Sequence, residues 1–296
     1  MPTHIQLDSS PALFSTFGRA LLPKKNLHGQ AQRGLTPSMP EITAHQSGIL
    51  IAPDHLHHYE KLCGFQPSLY LPATYLHVLA FKMHMALITH PKFPLPLMGL
   101  VHVRNSIDQK RPVSASEMID MTSQLGALRQ TPSGTEFDII TRAFIAGQVV
   151  WEEVSTMLHR APTTAPKAKP KVSPPALACQ TFWSLSANLG RQYARLSGDY
   201  NPIHLYGLTA QLFGFKQAII HGMYSKARSL AELDNQSQLA LSSKAFNIEV
   251  QFKLPVFLPA TVRFEWDQDA GKQHTQFQLM NDSGKKPHLR GRIEIN

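Results

Sequence analysis

The last fifty residues of the chain alternate apolar and polar side chains. Phe246, Ile248, Val250 and Phe252 interleave with Asn247, Glu249, Gln251 and Lys253. Val262, Phe264 and Trp266 interleave with Thr261, Arg263 and Glu265, and the alternation resumes through Thr275, Phe277 and Leu279 and through Leu289, Gly291, Ile293 and Ile295. A period of two puts alternate side chains on opposite faces, so these runs predict strands of a sheet with one wet and one buried face. Their short connections, residues 267–271 and Asn281-Asp282-Ser283-Gly284, predict antiparallel neighbours. Ahead of them, residues 222–233 carry Met223, Ala227, Leu230 and Ala231 on one helical face. One helix lying on a curled antiparallel sheet is an α+β arrangement.

The first half repeats this order. An apolar helix over residues 73–88 precedes the strand-like "PLMGLVHVRN". The step Arg111-Pro112-Val113 echoes Lys253-Leu254-Pro255-Val256, and strand-like runs follow near residues 114–128, 136–146 and 148–159. The pattern predicts an internal duplication. Between the copies lies "APTTAPKAKPKVSPP", residues 161–175, whose five prolines and three lysines read as an extended, solvated linker. The expected division is an N-terminal extension over 1–45, a first α+β domain over 46–160, the linker over 161–177 and a second domain over 178–296.

Composition narrows the class. With 43% hydrophobic and 17% charged residues in 296, wholesale disorder is excluded and each half can bury a core. The net charge of +9 favours anionic partners, but the basic residues are scattered and no zinc-finger spacing or aromatic RNA-binding signature appears, so no nucleic-acid partner is expected. Cys63 and Cys179 form neither a disulfide framework nor a zinc site; with no signal peptide read at the N-terminus, a reducing, cytoplasmic setting follows. The segment between Pro72 and Pro91 contains His77, Lys82 and His84; it is too short and too polar for a membrane span and suits a buried helix. Met83, Met85, Met98, Phe81 and Phe93 read as core, or as the lining of a tunnel.

The chemistry is concentrated in "LSGDYNPIHLYGLTAQLFGFKQAIIHGM", residues 196–223. Gly198 can end a helix in the left-handed conformation, and Asn201-Pro202 enforces a turn. Two readings of Asp199 and His204 follow. Asp199 forms an Asx-turn and His204 is a hydrogen-bonded core residue, or the two hold a water on one short loop and move protons as a general acid–base pair. His221-Gly222 likewise reads as a plain helix start, or as a backbone N–H left unshielded by the missing Cβ at the positive end of a helix, where a thioester oxygen can lodge.

"SGDYNPIH" followed seventeen residues after His204 by "HGM" resembles the MaoC-like dehydratases, the (R)-specific enoyl-CoA hydratases. The resemblance is tight over 196–223 and the "FKLPV" strand. The paired order is similar to the double hot-dog members, in which two antiparallel sheets each wrap a central helix and only the C-terminal half keeps the motif; none occurs in residues 1–160. One departure is Leu205-Tyr206-Gly207, where relatives often carry an acidic residue and Pro. The resemblance implies reversible hydration of trans-2-enoyl thioesters to (3R)-hydroxyacyl thioesters in fatty-acyl metabolism. Asp199 and His204 would be the pair, Asn201 would orient them, and Gly222 would polarise the thioester carbonyl. His221 and Met223 would shape the pocket, and Lys226 and Arg228 would meet the phosphate of a phosphopantetheine arm or else line a solvated helix face. It implies no metal and no cofactor beyond the coenzyme A or acyl carrier protein that the substrate brings, and it admits a homodimer. A thioesterase and a non-catalytic acyl-thioester binding module are the rivals.

Overall fold

The computed structural model describes residues 2–7, 38–97, 99–160, 175–237, 239–268 and 274–296. The linker lysines Lys167, Lys169 and Lys171, Met98, most of the expected N-terminal extension and the expected connection at 269–271 lie outside the described residues.

Among the described residues, twelve strands form one sheet. They are β1 (Thr3–Gln6), β2 (Ile42–Ile49), β3 (Leu100–Gln109), β4 (Ile119–Leu125), β5 (Arg129–Thr131), β6 (Gly134–Ile145), β7 (Gln148–Arg160), β8 (Cys179–Leu185), β9 (Phe246–Phe252), β10 (Ala260–Gln268), β11 (His274–Asn281) and β12 (Pro287–Ile295). The order is β1-β2-β4-β6-β7-β3-β9-β12-β11-β10-β8, with β5 paired to β6. Every pairing is antiparallel except β1 with β2. Counting outward from the centre, β3-β7-β6-β4-β2 on one side matches β9-β12-β11-β10-β8 on the other. The two sheets of the expected hot-dog pair therefore share a border, with Arg104 opposite Gln251 and Ile107 opposite Ile248.

The helices are α1 (Pro53–Cys63), α2 (Tyr75–Thr89), α3 (Leu189–Ser197), α4 (Gly207–Gln211) and α5 (Gly222–Ser237). None among the described residues is long and apolar enough to cross a membrane. Helix α2 is apolar almost all round because it lies in the first half's sheet, against β2, β4 and β6. Helix α5 occupies the matching place in the second half and touches β11. Most of the alternating residues behave as their pattern requires; Glu265, expected on the wet face, is instead buried, where Gln278 Nε2 donates to it (2.6 Å). Phe246, Ile248 and Val250 are buried, as are Val262, Phe264, Phe277, Leu279, Leu289 and Ile293.

Two elements begin later than the periodicity indicates. The strand expected from 114 starts at Ile119, because Glu117 folds back to accept from Ser114 N (2.7 Å) and from Arg111, making a turn of residues 114–117. The helix expected from 73 starts at Tyr75, since the Ala73 carbonyl accepts from Trp151 Nε1 (3.0 Å).

The halves also join away from the sheet. Helix α1 packs on α3 and α5. His55 bridges the halves, with Nε2 at 2.9 Å from the Leu196 carbonyl and Nδ1 at 2.8 Å from Tyr75 Oη.

Candidate active site

Helix α3 ends at Gly198, whose φ of 75° suits a residue without a Cβ and whose N–H bonds back to Ala194 O. The chain then turns twice. Asp199 Oδ1 accepts from Asn201 N (3.1 Å), and Asn201 Oδ1 faces Ile203 N (3.4 Å) at the start of a 3-10 turn, Pro202–His204. The Asx-turn expected of Asp199 is present, and side-chain polar atoms of Asp199 and His204 lie within 4.8 Å of each other. The carboxylate makes its turn through one oxygen and remains about a quarter exposed, opening on a cavity that His204 also lines. Asn201 orients the loop through its backbone N–H, while its side chain caps the 3-10 turn.

His204 is buried, and its Nδ1 lies 2.8 Å from the Ile219 carbonyl. A carbonyl only accepts, so Nδ1 carries the proton and Nε2 keeps a lone pair. Burial lowers the His204 pKa, against the opposing pull of Asp199, so the neutral imidazole is the resting form. His221 stacks on His204, ring centroids 3.7 Å apart, and its Nε2 donates to the Asp199 carbonyl (3.0 Å). Burial, with His204 alongside, holds its pKa well below the ordinary value. His221 therefore clamps the loop by its backbone. Gly190 makes the contact possible from behind: a Cβ there would sit 2.1 Å from the His204 carbonyl oxygen.

Helix α5 starts at Gly222, where the first N–H groups lack partners within the helix. A Cβ on Gly222 would stand 3.0 Å from the Phe252 ring, so the glycine admits that ring as well as exposing its own N–H. Asp199, Asn201, His204, His221, Gly222 and Met223 all line one cavity of about 240 Å³. Their lining is joined by residues of the first half, among them Phe81, Ile88, Leu100 and Met157.

Lys226 and Arg228 are a correction. Neither faces the cavity. Lys226 is fully buried, with Nζ bonded to Asn105 Oδ1 and close to the Ile248 carbonyl (3.3 Å). Burial pulls its pKa down to about 7. Arg228 turns to Glu232 (3.0 Å) and lies over the Trp183 ring, 5.4 Å from its centre. The helix repeat carries both side chains away from the Gly222 end. The cationic side chains that are exposed and line the cavity are instead Arg160 and Lys253. The more distant Arg104 and Arg111 are paired with Glu136 and Glu117.

Sequence reasoning passed over several lining residues. Tyr193 is buried beside His221, ring centroids 5.0 Å apart. The first half adds His77, His84, His102 and Ser155. A signal for two of these was available: His77 and His84 are seven residues apart on a mostly apolar helix, hence on one face. Among the described residues, two trios have ligand atoms close enough to share a metal ion, Asp199–His204–His221 and His77–His84–Glu153. In the first, one nitrogen of each ring already donates to a carbonyl; in the second, His77 Nδ1 donates to the carboxylate that would bind the ion (2.8 Å).

The loop, the neutral imidazole and the helix start can hold a water against an acyl thioester and polarise its carbonyl. Comparison with known proteins points the same way. Residues 163–286 match the MaoC like domain. The chain is 32% identical over 262 residues to 3-hydroxyacyl-thioester dehydratase X of Mycobacterium tuberculosis, covering 86% of this chain and 89% of that one. It is similar to the crystal structure of HtdX from the same organism, with a TM-score of 0.72 and 29% identity over 86% of this chain and all of that one. A MaoC-like dehydratase from Phytophthora capsici shares the fold, with a TM-score of 0.67 and 20% identity over 88% of this chain and 95% of that one.

Proposed function

The chain belongs to the MaoC-like dehydratase family, and from that premise we propose that it is a hydro-lyase that reversibly adds water across trans-2-enoyl thioesters, with Asp199 and His204 as its acid–base pair. The observation that carries this reading is the Asp199 carboxylate and the Nε2 lone pair of His204 opening on one cavity beside the start of α5.

In the hydration direction a water sits between the carboxylate and the imidazole. Its oxygen bonds to the β-carbon as the pair takes one of its protons, and the α-carbon receives a proton from the pair, so the net change is the addition of H2O. The two groups work as one titrating unit. Electron density displaced onto the thioester oxygen meets the Gly222 N–H and the positive end of α5, an oxyanion-hole arrangement. No electrons pass to or from the substrate overall, so the step calls for no redox cofactor. The expected product is the (3R)-hydroxyacyl thioester.

The acyl carrier is read as coenzyme A, with Arg160 and Lys253 at the mouth of the cavity meeting its phosphates in place of Lys226 and Arg228. Both walls of the cavity come from a single chain, so the reading requires no second copy. Cys63 and Cys179 are free thiols, consistent with a cytoplasmic setting.

The test is incubation of the purified protein with trans-2-enoyl-CoA, chiral analysis of the product and a thiol assay alongside. Conversion to a (3R)-hydroxyacyl-CoA without thiol release is expected; thiol release would assign a thioesterase. In folded protein, His204→Ala or Asp199→Asn should lower kcat by about 100-fold or more. Near wild-type turnover in either variant would overturn the roles assigned here.

A further inference from the structure

The cavity has two ends of different chemistry. Beyond Phe252, whose ring sits against Gly222, the wall passes to the first half. That wall carries apolar residues, Phe81, Ile88, Leu100 and Met157, and among them three histidines run in sequence. The His102 ring lies 4.9 Å from Phe252 and 6.3 Å from His77, and His77 lies 5.3 Å from His84.

Behind the histidines is a buried scaffold. Glu153 is fully enclosed and accepts from His77 Nδ1 (2.8 Å) and Asn105 Nδ2 (2.7 Å). Asn105 also donates to Ser155 Oγ (3.0 Å) and holds Lys226 through Oδ1. His84 Nε2 is 2.8 Å from Thr141 Oγ1. In this group His102 Nε2 is enclosed and has no hydrogen-bond partner among the described residues; the same holds for Tyr193 Oη and His221 Nδ1 at the thioester end. An unpaired polar atom in such a place is unfavourable unless a bound group satisfies it.

The charges narrow what that group can be. Burial, reinforced by His77, brings His84 down to about 4 and His102 to about 3, so both are neutral at neutral pH. Burial pushes Glu153 up, but His77 outweighs it and the carboxyl settles at about 2, an anion. A carboxylate on the chain would meet that anion at close range. A methyl end would leave His102 Nε2 unpaired. A hydroxyl bonds to an imidazole nitrogen in either tautomer, as donor or as acceptor.

We propose that this cavity takes acyl thioesters whose chain carries a hydroxyl group remote from the thioester, received by His102 with His77 beside it. The proposal rests on the hydratase reading for the thioester end only. A site built to bond a polar group discriminates against the analogue lacking it far more than a hydrophobic slot discriminates by size.

Binding is measured by calorimetry with saturated acyl-CoAs that cannot be hydrated, as length-matched pairs with and without a terminal hydroxyl, over a graded series of lengths. At the best-fitting length the hydroxylated chain should bind about tenfold tighter or better. His102→Leu should abolish that ratio. Equal or weaker binding of the hydroxylated chain at every length overturns the proposal, as does a ratio that survives His102→Leu. Should the variant fail to fold, the wild-type pairs still decide. Hydration of crotonyl-CoA by the wild type, run in parallel, reports on the hydratase reading alone.

Discussion

Single atoms set the chemistry of the loop that carries Asp199 and His204. The Ile219 carbonyl fixes the proton on His204 Nδ1, and the space behind Gly190 lets the His204 backbone close in. A methyl at Gly190 would collide with backbone rather than with a movable side chain. Gly190→Ala should therefore cost about 1–3 kcal/mol, the usual range for overpacking, and lower kcat by displacing His204; thermal melts and turnover check it. Gly222→Val should press on Phe252 and screen the N–H, cutting kcat on crotonyl-CoA while the variant stays folded. In the proposed pair the neutral His204 shares the base role with Asp199, and its pKa is lowered by burial. The acidic limb of kcat/KM should consequently fall below the ordinary imidazole value of 6.5. A limb at or above 6.5 would remove His204 from that role.

At the scale of elements, α5 presents its first turn to the cavity and the next to the interior. Arg228 serves the helix, pairing with Glu232 four residues on. Arg228→Glu should place like charges side by side, lowering stability by up to about 1 kcal/mol and leaving the KM for enoyl-CoA unchanged. Arg160→Glu should do the reverse, raising that KM with little effect on kcat, since a distant phosphate contact contributes equally to ground and transition states. Steady-state kinetics on both variants separates the two positions. The difference was hard to read from sequence. Alternation reports which face of a strand is buried, and it served well for β9 to β12. The motif singled out Asp199, His204 and Gly222, which all line the one cavity. Lys226 shows the limit: a lysine on a helix reads as solvated, and only the tertiary contacts of Asn105 and Ile248 reveal an enclosed one. Strands β2 and β8 escaped notice because their pairing to β4 and β10 is long-range. His102, in the strand-like run that became β3, looked like any other half-buried residue until Phe252 and His77 came together around it.

Across the whole molecule, several buried titratable groups make stability rise with pH, against the opposite pull of Asp234 and Glu60, whose carboxyl pKa values burial raises. His84 and His102 have native pKa values of about 4 and 3 against 6.5 for the free side chain. Below 6.5 the unfolded chain takes up protons that the native one refuses, so stability falls as pH drops toward 4 and 3. Glu153, at about 2 against 4.5, extends the loss further down. Lys226, at about 7 against 10.5, adds stability as pH rises from 7. The melting temperature should thus increase steadily from pH 4 to pH 9, and His84→Leu should flatten the acidic part of that curve. The border between β3 and β9 has a different consequence. Two identical subunits joined there would be bound by their two-fold axis: any residue chosen for one wall of a cavity would reappear on the equivalent wall of the other. A single covalent chain is released from that symmetry. Histidines can stand on α2 with no counterpart imposed on α5, and the half without the motif is free to change what it receives without disturbing the half that carries it.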